Sequence, residues 1–315
     1  MKYIAVLSKE HELLPFAELK AIIESESKIF NIKKIKNIAI FETQNETEVY
    51  SRAALLREGG RILGEFNDPE EIKMDLGDKS FSLRYRDFNE NGIESKEMEK
   101  FVGSKIKGKV NLKNPEIKLL LIHMDKYYLA INERIDPDFN HRINEKRPFR
   151  TNLTLKPKMA RMLVNLARVK KGNRIIDPFC GSGSILIEAS LMDIISYGID
   201  SSRKMYHGCR MNLMHFGIEP KVYLGDVSKA LELGKFNAVV TDPPYGRGSS
   251  TNKENIESLY SRSFQIFRKI VDDGYISLML PDERFIDLAK DYFKINEKYE
   301  MRVHRSLVRH IFTLA

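Results

Sequence analysis

From Asn173 to Ala189 the chain passes through three short segments whose order constrains the fold more than any other feature. Asn173-Arg174-Ile175-Ile176 reads as a strand, Asp177-Pro178-Phe179-Cys180-Gly181-Ser182-Gly183-Ser184 as a loop, and Ile185-Leu186-Ile187-Glu188-Ala189 as the start of a helix. A strand that feeds a helix through a tight loop is the building unit of a mostly parallel α/β sheet with helices on both faces. Two glycines one residue apart let the backbone turn sharply and leave no side chain between loop and ligand. No third glycine completes a dinucleotide fingerprint, and no Gly-Lys-Ser/Thr completes a phosphate-binding loop. The pattern therefore favours an adenosine without phosphates over a nicotinamide cofactor or a nucleoside triphosphate.

A second marked stretch, Thr241-Asp242-Pro243-Pro244-Tyr245-Gly246, follows the apolar run Phe236-Asn237-Ala238-Val239-Val240. It sits where a buried strand opens into a loop. Two consecutive prolines remove two N–H donors and fix two φ angles, so the loop is rigid and rich in acceptors. Such a loop suits a flat group bearing an NH₂. Asp242 and the Pro243 carbonyl can accept its two hydrogens while Tyr245 stacks on the ring.

Taken together, Asp-Pro-Phe-Cys-Gly-Ser-Gly and the downstream Asp-Pro-Pro-Tyr resemble the S-adenosylmethionine-dependent amino-methyltransferases. The resemblance implies a Rossmann-like methyltransferase domain closed by an antiparallel hairpin. It places the methionine part of S-adenosylmethionine at Asp177, Pro178, Cys180, Gly181 and Gly183. It gives the ribose hydroxyls to Asp200, at the end of the next strand, and the adenine to Asp226 and Val227, after the strand beyond that. Asp242, Pro243, Pro244 and Tyr245 then hold the target amine. The polar segment Arg247 to Asn252 has the composition of a loop that orders over a bound base.

The two cysteines, Cys180 and Cys209, argue against a disulfide framework, and seven histidines without ligand spacing point to no metal. No window approaches 18 apolar residues and the opening segment lacks a signal pattern, so a cytoplasmic location and no membrane are expected. The net charge of +8 is uneven. Residues 1–150 carry 27 Lys and Arg against 26 Asp and Glu, and the rest 25 against 18. A pI near 9.2 suits a polyanionic partner.

Residues 1–48 read as a small α+β unit, strand, helix, strand, strand. Another runs from 49 to 135, with a helical stretch carrying Ala53, Leu55 and Leu56. In Phe81-Ser82-Leu83-Arg84-Tyr85-Arg86 the apolar residues alternate with Ser and Arg, the period of a half-exposed strand. Val110-Asn111-Leu112-Lys113-Asn114-Pro115-Glu116 resembles the corresponding stretch of THUMP domains, the RNA-binding modules of tRNA-modifying enzymes. That likeness implies a ferredoxin-like unit (1–48) and a THUMP domain (49–135) that grip tRNA, a linker (136–158) and the methyltransferase domain (159–315). Arg84, Arg86, Lys113, Arg147, Arg150 and Arg247 are the candidate RNA contacts, with Arg142 and Lys146 as further linker cations. A catalytic half from about Phe139 onward is expected to carry its own core.

His304-Arg305-Ser306-Leu307-Val308-Arg309 and Asp-Pro-Pro-Tyr-Gly-Arg resemble the archaeal tRNA guanine-10 N2-methyltransferases. The activity so implied is methylation of guanosine N2 in tRNA, at position 10. Two other readings stay open, an amino-methyltransferase acting on DNA (adenine N6 or cytosine N4) or on another RNA, and a catalytically silent RNA-binding relative. Which nucleotide is modified, the number of methyl groups and the choice between monomer and homodimer are not decided by the sequence.

Overall fold

The computed structural model describes residues 1–89, 92–152, 154–246, 254–304 and 307–315. Its first part contains β1 (Lys2–Leu7), α1 (Leu14–Glu26), β2 (Phe30–Ile35), β3 (Ile38–Thr43), α2 (Val49–Arg52), β4 (Leu56–Phe66), β5 (Met74–Asp87), α3 (Ser95–Gly103), β6 (Ile106–Val110), β7 (Ile117–His123) and β8 (Tyr127–Ile131). The second part contains α4 (Pro157–Leu166), β9 (Arg174–Asp177), α5 (Ser184–Ser190), β10 (Ile195–Asp200), α6 (Arg203–His215), β11 (Val222–Leu224), β12 (Phe236–Thr241), α7 (Ile256–Ile270), β13 (Val271–Leu280), β14 (Ile295–His304) and β15 (Leu307–Leu314). Among the described residues, no helix is long and apolar enough to cross a membrane.

The chain forms two compact units that are not contiguous in sequence. One comprises residues 1–9, 27–51 and 56–136, the other 10–26, 52–55 and 137–315. All eight strands of the first unit join one sheet in the order β2-β3-β1-β4-β8-β7-β5-β6. β1 pairs with β3 on one side and with β4 on the other, so residues 1–48 and 49–135 share a sheet where separate units were expected. The expected helix through Ala53, Leu55 and Leu56 is a single turn, and Leu56 opens β4. The glycine pair explains the change. A Cβ on Gly60 would stand 1.8 Å from the Ile131 carbonyl oxygen, so an extended glycine segment is what lets neighbouring backbones approach this closely. In β5, Phe81, Leu83 and Tyr85 are buried while Ser82, Arg84 and Arg86 are not, as the alternation requires.

The second unit carries a seven-stranded sheet, order β11-β10-β9-β12-β13-β15-β14. β11, β10, β9, β12 and β13 run parallel, and β15 and β14 close the edge as an antiparallel pair. Side chains alternate between two apolar clusters. Ala238 and Val240 of β12 join α4 and α5 on one face, and Val239 joins Phe264 and Phe267 of α7 on the other. After β13 a 3-10 segment, Glu283–Ala289, leads toward β14.

The first face also holds α1, whose Leu14, Ala17 and Ala21 pack in the cluster of Leu163, Val164 and Ile311. Fully buried Glu18 accepts from the backbone N–H groups of Ala54 and Leu55, at 2.8 and 2.7 Å, and from Asn165 Nδ2 at 2.8 Å. A fragment beginning at Phe139 therefore lacks a helix of this unit's own core, contrary to expectation. The segment expected as a linker is also part of the unit. Phe149 N–H donates to Asn212 Oδ1 at 3.0 Å, and Thr154 Oγ1 lies 3.1 Å from Ser182 Oγ in the glycine loop.

Candidate active site

β9 is the point at which the sheet changes direction, with β10 on one side and β12 on the other. Open α/β sheets place ligands in the crevice beyond the carboxyl ends of such strands. The glycine loop leaves β9 and the Asp-Pro-Pro-Tyr loop leaves β12, so two motifs far apart in sequence open side by side. A buried bond joins them, Thr241 Oγ1 donating to Asp177 Oδ1 at 2.7 Å, and the same oxygen accepts from Phe179 N–H at 3.1 Å. Burial raises the Asp177 carboxyl to about 7, against the pull of those two donors.

In the glycine loop Gly181 and Gly183 have φ of 51° and 87°. A Cβ on Gly183 would come within 2.7 Å of Cys209 Sγ, whereas one on Gly181 would meet nothing nearer than 4.0 Å. The loop is thus packed beneath and open above, as a cofactor cradle requires. Asp200 ends β10 with Oδ2 accepting from Gly181 N–H at 2.9 Å and Oδ1 from Ser202 N–H at 2.8 Å. Burial raises its carboxyl, which remains half-buried beside the loop. Asp226 accepts from Ser228 N–H at 3.0 Å and from Arg262 Nη1 at 2.6 Å, and Arg262 also binds Glu254 at 2.8 Å. Burial acts to raise the Asp226 carboxyl, but Ser228 and Arg262 outweigh it and the net direction is down.

Three side chains expected at the cofactor lie elsewhere. Cys180 is buried next to Cys209 beneath the loop, where hydrogen bonding to Cys209 and then burial push its thiol up, and both cysteines are free. Val227 is fully buried in the core with Ile176 and Ile199. Pro178 is buried too, so none of the three offers a ligand an exposed side chain.

In the loop after β12, Tyr245 Oη donates to Asp242 Oδ1 at 2.5 Å and Tyr260 Oη to the Pro244 carbonyl at 2.7 Å. The Tyr245 ring, expected to stack on a base, is tied by its hydroxyl to the carboxylate. Burial pushes that hydroxyl well above its ordinary range, so it stays a donor. Burial raises the Asp242 carboxyl as well, opposed by Arg309 and by the Tyr245 bond. Arg309 Nη2 stands 4.0 Å from Asp242 Oδ2. This arginine follows from β15 returning beside β13, and nothing in the sequence reading assigned it a role. Arg247 and the segment 247–253 lie outside the described residues, as do Arg305 and Ser306.

The candidate RNA contacts divide. Arg147 is 1% exposed, donating from Nη1 to Ser184 Oγ at 2.8 Å and from Nε to the Arg142 carbonyl at 2.8 Å. Burial pushes its guanidinium down to about 10. Arg142 is buried against Glu188, at 2.7 Å, with Arg161 on the same carboxylate at 2.8 Å. Both linker arginines hold the segment onto α5 and are removed from phosphate contact, a correction to the expectation. Arg150 and Lys146 are exposed. In the first unit Arg84 and Arg86 share Glu58, at 3.3 and 2.6 Å, and Lys113 stands exposed in a turn held by Asn111.

Among the described residues, Glu283, Glu300 and His310 come close enough to share a cation. The Lys298 ammonium already bonds Glu283 and lies 3.8 Å from Glu300, so a positive charge is in place.

Residues 144–311 match the RMKL-like methyltransferase domain family. Over 98% of both chains, the sequence is 35% identical to the tRNA (guanine(10)-N2)-dimethyltransferase of Methanothermobacter thermautotrophicus. The chain belongs to that family. The family member from Methanocaldococcus jannaschii is 30% identical over 97% of each chain. TrmN from Thermus thermophilus superposes with a TM-score of 0.51 over 100% of this chain and 99% of its own, at 18% identity, a likeness of fold. The residues that match the methyltransferase domain include both loops.

Proposed function

We propose that this enzyme transfers a methyl group from S-adenosylmethionine to the exocyclic N2 amine of a guanosine in tRNA, at position 10. The observation that carries the reading is the adjacency of the two loops at the carboxyl ends of β9 and β12, bridged by Thr241 and Asp177. The open face of Gly181 and the Asp200 carboxylate support a fit to S-adenosylmethionine, and Asp226, bonded to Arg262, is read as the adenine contact. When bound, that cofactor supplies an electrophilic methyl group.

The chain's own residues do the rest. The lone pair of an exocyclic amine is spread into the ring, so nucleophilicity has to be localised on nitrogen. Asp242 does this by accepting an N–H of the amine, which favours pyramidal nitrogen and stabilises the positive charge as it develops. Tyr245 fixes the orientation of that carboxylate through Oδ1. The raised basicity of a partly buried carboxylate then helps Asp242 take the proton that the methylated amine sheds. Alignment of the amine by the rigid Pro243-Pro244 segment supplies the entropic share.

The first unit, with Lys113 on an exposed turn, is read as the tRNA-gripping THUMP-type module. One flipped guanine offers too little contact to select a substrate, so phosphate contacts elsewhere must set the nucleotide. Nucleoside mass spectrometry of unmodified tRNA and of duplex DNA, after incubation with enzyme and cofactor, tests the assignment. N2-methylguanosine or N2,N2-dimethylguanosine in tRNA is expected, and N6-methyladenine or N4-methylcytosine in DNA would replace it with the DNA reading.

A further inference from the structure

Asp242 and Arg309 face one another without forming a hydrogen bond. Their closest atoms, Oδ2 and Nη2, are 4.0 Å apart, beyond hydrogen-bond reach. The Arg309 Nε is buried and has no acceptor among the described residues. A guanidinium with an unmatched buried donor, next to a carboxylate it does not bond, is a group held ready for a third party. Both side chains are 19% exposed, so each is in part open to solvent.

The order of the atoms identifies that third party. Asp242 Oδ1, Asp242 Oδ2 and Arg309 Nη2 present acceptor, acceptor, donor, the sequence of groups along the pairing edge of cytosine. Oδ1 keeps a lone pair after accepting from Tyr245. The complement is donor, donor, acceptor, which is the edge of guanine with its 2-amino group, N1–H and O6. Adenine offers donor then acceptor, and cytosine donor, acceptor, acceptor. With its amine on Oδ1, either one sets a ring-nitrogen lone pair against Oδ2, and that unmatched contact is a penalty.

The geometry points to Arg309 as the residue that selects guanine, donating to O6 while Asp242 accepts from the 2-amino group and N1–H. This rests on the guanine-N2 reading above and adds the means of discrimination. It also accounts for the position of the residue, since β15 lies next to β13 and brings Arg309 to the carboxyl end of the sheet, where the loop after β12 opens.

The test compares kcat/KM on two ligated tRNAs, one with guanine and one with 6-thioguanine at the modified nucleotide. The analogue keeps the amine and N1–H but replaces O6 by a weak acceptor. Wild type is expected to prefer guanine by about tenfold or more, the worth of a hydrogen bond from a charged donor. Arg309→Met is expected to lower the guanine rate and bring the preference within about threefold. Arg309→Lys keeps a charge near Asp242 but not the planar fork, and is expected to lose the preference in part; it carries the test if the Met variant does not bind cofactor in calorimetry. An equal fall on both tRNAs in the variants, or a wild type indifferent to the sulfur, would overturn the assignment. A wild type that places no methyl on guanine N2 at all would sink the underlying reading, and that result appears before any variant is made.

Discussion

Asp242 and Asp177 are carboxylates on neighbouring strand ends, and their surroundings give them different work. Asp242 faces the place where the amine is expected, so Asp242→Ala should lower methyl transfer by about 100- to 10,000-fold, the range for a positioned acid or base. Cofactor affinity should stay within a few fold. Calorimetry beside a methylation assay checks both, and full activity would remove the role assigned here. Asp177 is buried, and its carboxyl ionises near 7 in the fold against 3.8 for an ordinary aspartate. A carboxyl raised on folding leaves stability intact below pH 4 and erodes it as the pH climbs toward 7, because the unfolded chain ionises first. Asp177→Asn keeps the Thr241 bond and removes that loss. The difference in stability between variant and wild type should therefore shift in the variant's favour between pH 4.5 and 7.5, by at most about 4 kcal/mol. A difference flat across that range, in melts followed by circular dichroism, would mean that Asp177 is ionised throughout. The sequence made these two acids visible because each ends an apolar run. It placed Arg309 in a family-like hexapeptide without a role, because that role depends on β15 returning antiparallel next to β13.

At the level of elements, periodicity identified most strands and helices but not their partners. The pattern of α1 marks an apolar face without saying what covers it, and only the packing shows that face meeting α4. Arg147 was misjudged for a related reason. Beside proline and other cations it has the composition of a solvated linker, and its burial depends on Ser184, a residue brought close by the fold. The placement of α1 has a measurable result. Glu18→Ala would strip the acceptor from two buried backbone N–H groups and from the Asn165 amide. A cost of about 3 kcal/mol or more is expected, since each unpaired buried donor costs about 1–3 kcal/mol. Denaturant melts should show the loss in the unit that binds cofactor. A midpoint unchanged there would mean that α1 is dispensable to it.

For the whole molecule, the proposed binding of tRNA makes a prediction about exposed cations in each unit. Lys113 and Arg150 are exposed and contact no carboxylate among the described residues. Lys113→Glu and Arg150→Glu should each weaken tRNA binding and lower the steepness of log K against log salt by about one. Affinity for cofactor should not move. Filter binding over a salt series measures the slope, and a slope unchanged in both variants would place the phosphate contacts elsewhere.

The interleaving of the two units bears on how the chain is made. α1 leaves the ribosome on the order of ten seconds before α4, the helix it packs against, at about 5–20 residues per second. Through that interval Leu14, Ala17 and Ala21 lack the α4 side chains of their cluster, while β1 to β8 are completed as soon as Ile131 has emerged. The segments 10–26 and 52–55 must then be held out as excursions from a finished sheet until the remainder of their own unit arrives. Synthesis thus completes the first unit before the catalytic one, even though a helix of the catalytic unit is translated ahead of most of the first unit.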